Sequence, residues 1–132
     1  MKDKYILDSS IWIELERQSV KVVKEVRPLI QKNQVCLIDV IVAEVLRGCR
    51  IQKDFDLLLG EFRNFRWLKT QWETVAELGF RLSHKGYHPP LIDLYIALCT
   101  MENKRVLVTQ DKHFSHIAKV LPLKIVMLEN ER

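Results

Sequence analysis

The 132-residue sequence contains little cysteine and no paired cysteine motif. Its three cysteines, Cys36, Cys49 and Cys99, show no CxxC spacing, and each lies among apolar residues. An odd number of such cysteines, in a chain for which we expect no secretory leader, argues against a small disulfide-stabilised secreted protein. We therefore expect buried, reduced thiols in a cytoplasmic protein.

Long apolar runs are also absent. The longest apolar stretch, residues 35–46, is interrupted by Asp39 and Glu44 and is too short to span a bilayer. Residues 1–4 lead directly into the first apolar segment, so we expect no signal peptide. No internal repeat, low-complexity tract or linker divides the chain. The sequence predicts a single domain over residues 1–132, with no membrane among its partners.

The sequence has no strong excess of charge of either sign. Its formal net charge is +4 and its isoelectric point is near 9.0. This mildly basic balance permits a polyanionic partner such as nucleic acid but does not require one. Several acids are predicted below to cluster, so the rest of the surface is more basic than the total suggests.

Short apolar runs alternate with segments of helical periodicity along the chain. The predicted strands are residues 5–7, 35–38, 66–68, 106–108 and 125–128. The predicted helices are residues 11–17, 20–32, 40–47, 52–65, 70–82, 91–101 and 112–120. This alternation is typical of a parallel sheet with helices on both faces. We therefore predict an α/β fold, a three-layer α/β/α sandwich with a mainly parallel central sheet.

Individual residues make these elements more specific. Pro28 is expected to kink or divide the second helix, and Asp39 is expected to cap the third. The spacing of Thr70 and Glu73 predicts a capping box at the start of the fifth helix. Three tryptophans occur in apolar contexts, which favours the core over stacking on nucleotide bases: Trp12, Trp67 and Trp72.

Four acidic residues occupy unusual positions. Asp8 follows the first predicted strand, and Asp111 follows the strand over residues 106–108. In a doubly wound sheet, strands that end where the strand order reverses face one crevice. Glu44 and Asp93 lie early in predicted helices among apolar neighbours, where the helix dipole favours negative charge. The alternatives are that Asp8 and Asp111 only cap helices, that Asp93 caps its own helix, and that Glu44 is simply solvated.

A convergence of these acids would require a cation. Clustered carboxylates repel one another and are costly to desolvate unless a positive ion lies among them. Oxygen ligands with a neighbouring hydroxyl suit Mg²⁺ or Mn²⁺, which retain water ligands and bind phosphates.

Four segments resemble the motifs of PIN domains, most closely those of VapC-type toxins: residues 7–13, 43–48, 90–97 and 107–114. The resemblance covers essentially the whole chain in order. It implies an endoribonuclease that depends on one or two Mg²⁺ or Mn²⁺ ions and hydrolyses RNA phosphodiesters. It further implies the toxin of a VapBC-type toxin–antitoxin pair, with a cognate VapB-type antitoxin as partner and a homodimeric assembly.

The resemblance also assigns roles to residues. The catalytic residues are Asp8, Glu44, Asp93 and Asp111, and the metal ligands among them are Asp8, Asp93 and Asp111. The resemblance also implies that Ser9 or Ser10 and Thr109 line the site. From their positions beside Glu44 and Asp111, Arg47 and Lys112 are expected either to contact the RNA backbone or to be ordinary solvated charges, and His113 is expected near the site. His113 stands where many relatives carry a second acid, which leaves the number of metal ions open. The alternative function is a catalytically weak, PIN-like RNA-binding module.

Overall fold

The computed structural model describes residues 1–129, in which five strands alternate with seven helices. The strands are β1 (Tyr5–Leu7), β2 (Val35–Ile38), β3 (Trp67–Leu68), β4 (Val106–Thr109) and β5 (Ile125–Met127). The helices are α1 (Ser9–Glu16), α2 (Val20–Gln31), α3 (Asp39–Arg47), α4 (Gln52–Phe62), α5 (Trp72–His84), α6 (Leu91–Glu102) and α7 (Lys112–Val120). None of the helices within residues 1–129 has the length and apolar character needed to traverse a bilayer.

The five strands form one parallel sheet in the order β3-β2-β1-β4-β5. From β1 the chain builds outward through β2 and β3, and then returns to the other side of β1 to add β4 and β5. The strand order therefore reverses between β1 and β4. The carboxyl ends of these two strands face the crevice where such sheets bind ligands.

The central strands are buried on both faces, which explains their uninterrupted apolar sequences. Every residue of β2 and β4 is buried, as expected when helices cover both sides of a parallel sheet. Helices α1 to α4 pack with one another, and α5 to α7 form a second packed group. The predicted three-layer sandwich with a parallel central sheet is confirmed.

Two capping predictions are wrong, and one of the two outcomes expected for Pro28 is excluded. Pro28 does not divide α2, which continues past it without a break. Asp39 is the first residue of α3, and the N-cap position belongs to Ile38. Thr70 does not cap α5 either, because its hydroxyl donates instead to the Glu102 carboxylate at the end of α6. A partner distant in sequence takes the Thr70 hydroxyl, whereas the Asp39 carboxylate accepts from the adjacent Val40 amide at 2.8 Å and also from the Tyr95 hydroxyl on α6.

The aromatic and thiol side chains agree only in part with expectation. Trp12 is buried, with its ring edge-on to Phe62 at a centroid distance of 5.1 Å. Trp67 and Trp72 are 42% and 48% exposed, so their prediction as core residues is wrong. Both lie on or just after β3, a two-residue strand at the sheet edge that offers little cover. The cysteines are free, two of them buried and the third partly exposed: Cys36, Cys99 and Cys49 respectively.

Candidate metal centre

Asp8 lies at the end of β1 and is only 5% exposed. Its Oδ1 accepts a hydrogen bond from the Ser9 backbone amide at 2.8 Å, so Asp8 does cap α1. Its Oδ2 accepts from the Thr109 hydroxyl at 2.8 Å. Thr109 Oγ1 in turn accepts from the Asp111 amide at 3.0 Å, which directs the hydroxyl proton towards Asp8. Capping therefore does not exclude Asp8 from the site, because one carboxylate serves both arrangements.

The environment of Asp8 opposes its ionisation. Burial raises the pKa of the Asp8 carboxyl above its ordinary value, hydrogen bonds from Thr109 and Ser9 counteract this, and the neighbouring Asp111 raises it further. The Ser10 hydroxyl lies close enough to lower this pKa. It nevertheless has no hydrogen-bond partner of normal geometry within residues 1–129, although its oxygen is buried. A buried hydroxyl left in this state beside a carboxylate is available to a polar ligand.

Asp111 begins α7 and forms a compact group with two other side chains. Its Oδ1 accepts from the His113 amide at 2.9 Å, so this aspartate also caps a helix. The His113 Nδ1 atom lies 3.4 Å from Asp111 Oδ1 and 3.4 Å from Asp93 Oδ2. The possible ligand atoms of Asp93, Asp111 and His113 all lie within 4.8 Å of one another. In the described part of the chain, Asp8 and Glu44 border this group without belonging to it.

Helices α6 and α3 bring the remaining two acids to the crevice. Burial raises the pKa of Asp93, and Asp111 raises it further, whereas His113 lowers it. Glu44 is exposed as a whole residue. Partial burial of its carboxyl, followed by the charges of Asp8 and Asp93, nevertheless raises the pKa of that group. Because Asp111 acts on Asp8 and Asp93, and these two act on Glu44, the structure links all four predicted carboxyl groups electrostatically.

The other predicted site residues are placed less uniformly. Ser9 contributes its backbone amide to Asp8, and Thr109 is fully buried between the two strand-end aspartates. Arg47 is exposed in the last turn of α3 and lowers the pKa of Glu44. Lys112 is exposed at the start of α7, and no ion pair within residues 1–129 joins it to the clustered acids.

Two features beside the acids have no signal in the sequence. Burial raises the pKa of the Tyr87 phenol, and the neighbouring Asp93 carboxylate adds to this, which places the ring near the site. A cavity of about 360 Å³ borders Glu44 and is lined by both apolar side chains and exposed arginines. The residues that characterise it are Ile13, Leu58, Arg17 and Arg50. The position of the Tyr87 ring and the shape of the cavity depend on tertiary packing, so no spacing of residues in the sequence predicts them.

The donor atoms fit a divalent cation. Two carboxylates and one imidazole nitrogen come together at ligand spacing, and two more carboxylates stand beside them. Like charges gathered in a half-buried crevice destabilise one another, and a bound cation would remove this repulsion. Carboxylate oxygens with access to water suit Mg²⁺ and Mn²⁺.

Comparison with known proteins agrees with this geometry. Residues 5–120 match the family model of the PIN domain, and PIN domains are generally nucleases. The structure is similar to a chain of VapBC2 from Rickettsia felis bound to a promoter DNA fragment, with a TM-score of 0.74 and 17% identity, covering 95% of this chain and 98% of that one. It is similar to VapBC-1 from nontypeable Haemophilus influenzae, with a TM-score of 0.69 and 19% identity over 93% and 96% of the two chains.

A third similar structure is FitAcB from Neisseria gonorrhoeae, with a TM-score of 0.67 and 18% identity, covering 92% of this chain and 95% of that one. No curated protein sequence gives a significant match. At these low sequence identities, the similarity to the solved structures establishes only the fold. The match of residues 5–120 to the family model establishes the family. The predicted resemblance in fold to VapC-type proteins is confirmed, and the chain belongs to the PIN domain family.

Proposed function

We propose that residues 1–132 form one PIN-like nuclease domain, a divalent-metal-dependent endoribonuclease that acts in the cytoplasm as the toxin of a VapBC-type pair. One observation carries the proposal. Four carboxylates come from four separate segments to the place where the strand order reverses, and burial together with neighbouring acids raises the pKa of three of them, Asp8, Glu44 and Asp93, beside Asp111. Such perturbed acids in a crevice are typical of a catalytic site, and the family supplies the reaction class.

The side chains have distinct parts in the proposed reaction. Asp93, Asp111 and His113 would hold an Mg²⁺ or Mn²⁺ ion, and Asp8 would complete the set directly, through water or by holding a second ion. When bound, such an ion lowers the pKa of water and offsets charge on the scissile phosphate. Thr109 keeps Asp8 oriented through its 2.8 Å hydrogen bond. Glu44 would either join the ligands of the ion or accept a hydrogen bond from the attacking water and hold it in line.

Charge and the similar structures support the choice of partners. The chain carries a net charge of +4 despite its acidic crevice, and Arg17, Arg47 and Arg50 are exposed on the Glu44 side of the site. These cations would contact the RNA backbone. Because the structures above are VapBC and FitAB complexes, we infer a VapB-type antitoxin that inserts a cationic side chain among the acids. The active form would be a homodimer.

Replacing Asp93 by Asn tests the proposal. The change keeps the size of the side chain but removes the charge shared by the metal group, so cleavage of RNA in the presence of Mn²⁺ is expected to fall by on the order of 100-fold. Gel assays on transfer RNA and on single-stranded oligoribonucleotides would measure it. The matched control is Asp56→Asn on the exposed face of α4, where the carboxylate contacts only Gln52 among the described residues. Wild-type cleavage by Asp93→Asn would overturn the proposal.

One observation favours a second candidate function, a PIN-like RNA-binding module with weak or no catalysis. The His113 Nδ1 atom lies 3.4 Å from both Asp93 and Asp111, so an imidazole occupies the place where many relatives carry a second acid. Under this alternative the protein would bind RNA in gel-shift assays but show no Mn²⁺-stimulated cleavage. Metal titration of the purified protein separates the two, because only the nuclease requires the ion.

A further inference from the structure

A polar contact joins helices α3 and α6 beneath the acidic crevice. The Tyr95 hydroxyl shares its proton between the two carboxylate oxygens of Asp39, at 2.8 and 3.0 Å. The same oxygen accepts a hydrogen bond from the Thr70 backbone amide at 3.2 Å. Tyr95 is 1% exposed, and the Trp72 ring covers it at a centroid distance of 4.5 Å. The contact therefore ties three segments together around a buried tyrosine ring, with Asp39 itself half-buried.

This contact lies between the two helices that carry Glu44 and Asp93. Asp39 is the first residue of α3, which carries Glu44 in its second turn. Tyr95 follows Asp93 by two positions on α6. Because each helix is rigid over one or two turns, sliding or tilting one against the other would change the spacing of the two acids. The Asp93 charge acts on Glu44, so their carboxyl groups are near enough for that spacing to matter.

Stability alone gives no reason for this arrangement. Desolvation of the half-buried Asp39 carboxylate carries a cost, and an apolar pair of similar volume would hold the two helices together at least as well. Apolar contacts tolerate small sliding movements, whereas a hydrogen bond defines distance and direction. A directional contact between these helices therefore has its main effect on geometry.

We propose that Tyr95 and Asp39 are positioning residues that fix α3 against α6 and thereby set the distance between Glu44 and Asp93 at the metal centre. The inference rests on the proposed function for the nature of the centre. It adds that metal binding requires a fixed spacing of α3 and α6, which the metal-binding acids alone do not provide. Neither residue touches the ion or the substrate; each acts through the helix that carries it.

The first test is Mn²⁺ affinity, measured by electron paramagnetic resonance on the full chain. Tyr95→Phe keeps the ring but removes the proton donor, and we expect it to weaken Mn²⁺ binding about 10-fold. The matched control is Thr100→Val on the same helix, which removes a buried hydroxyl that donates to the Ile96 carbonyl at 2.7 Å. Both variants should lose stability in urea unfolding, but Thr100→Val should keep wild-type Mn²⁺ affinity.

The second test asks whether Tyr95 acts through Glu44. In a Glu44→Gln background, adding Tyr95→Phe should change Mn²⁺ affinity less than about 2-fold, because the acid whose position it sets is already gone. Asp39→Asn keeps the size of its side chain and one acceptor oxygen for Tyr95, and it should weaken Mn²⁺ binding by a smaller factor than Tyr95→Phe. It provides the same measurement if Tyr95→Phe fails to fold.

The outcomes separate this inference from the proposed function. Wild-type protein that binds Mn²⁺ and variants that bind it equally well would overturn the positioning role and leave the nuclease proposal intact. The same weakening by Tyr95→Phe with and without Glu44 would also overturn it, since the effect would then not pass through that acid. Wild-type protein that binds no Mn²⁺ would overturn the proposed function and this inference together.

Discussion

At the scale of single residues, His113 gives the candidate metal centre a mixed set of donor atoms. Its possible ligand nitrogen and the carboxylate oxygens of Asp93 and Asp111 all lie within 4.8 Å of one another. Mg²⁺ strongly prefers oxygen ligands, whereas Mn²⁺ lies closer to the transition metals that accept imidazole nitrogen. One nitrogen in this group therefore favours Mn²⁺ over Mg²⁺.

Replacing His113 by Asp should reverse this preference. The substitution supplies an oxygen donor and a further negative charge, so Mg²⁺ affinity should rise relative to Mn²⁺ affinity by about 10-fold. Isothermal titration calorimetry with each ion would give the ratio. His116→Asp, on an exposed position of the same helix, adds the same charge outside the group and should leave the ratio unchanged. An unaltered ratio in His113→Asp would show that the imidazole does not bind the metal.

At the scale of secondary-structure elements, Thr109 couples the end of β1 to the start of α7. Its hydroxyl donates to Asp8 and accepts from the Asp111 amide. Both strand-end aspartates are thus oriented by one buried side chain at the end of β4. The start of α7 and the orientation of the Asp8 carboxylate therefore depend on the same two hydrogen bonds.

Thr109→Val should therefore impair both stability and cleavage. The change keeps the shape of the side chain but leaves a carboxylate oxygen and an amide unpaired, at a cost of about 1–3 kcal/mol in the free energy of unfolding. It also removes the hydrogen bond that lowers the pKa of Asp8, so RNA cleavage should fall. Thr100→Val should lose stability without a comparable loss of cleavage. Urea unfolding and gel assays on the two variants would decide the matter.

Local sequence predicts the elements here better than it predicts their ends. The continuous apolar runs of β2 and β4 and the periodicity of α7 are strong signals because burial acts on every turn or on every residue. The side chains of Asp39 and Thr70 have the right chemistry for caps. The Thr70 hydroxyl is used instead by Glu102, and the Asp39 carboxylate is used by Tyr95 as well as by the adjacent Val40 amide; Glu102 and Tyr95 lie on α6, 32 and 56 residues away respectively in the sequence. No short window of sequence contains such a partner.

The candidate metal centre, like the secondary structure, is predicted by local sequence only in part. The position of Asp8 and Asp111 after β1 and β4 follows from strand prediction together with the rule for reversed strand order. The compact grouping of His113 with Asp93 depends on how α6 and α7 pack, which periodicity does not describe. The sequence therefore predicts which acids meet, whereas the structure is needed to show which atoms lie at ligand distance.

At the scale of the whole molecule, the acidic cluster makes the metal-free fold dependent on pH. The carboxyl groups of Asp8, Glu44 and Asp93 have raised pKa values in the folded chain. Their ionised forms are therefore less favourable in the folded state than in the unfolded state. This contribution to stability is present below their ordinary pKa values and is lost as the pH rises through the raised values.

Metal-free Asp93→Asn should consequently be more stable than the wild type at about pH 7, and the difference should shrink as the pH falls to about 4. Urea unfolding in the presence of a chelator would measure it. Mn²⁺ should reverse the order by stabilising the wild type by about 2.7 kcal/mol at about 100 times its dissociation constant. A variant that is less stable than the wild type at neutral pH without metal would contradict the predicted repulsion.

The pairing of β1 with β4 also has a consequence for synthesis. Asp8 and Thr109 are hydrogen-bonded but lie 101 residues apart in the sequence, and a ribosome adds about 5–20 residues each second. During translation, Asp8 and Glu44 leave the ribosome seconds before Asp93 and Asp111 exist. A growing chain thus has half of the acids and no crevice to hold them. The proposed nuclease would be harmless to the ribosome that makes it until β4 and α7 have folded into place.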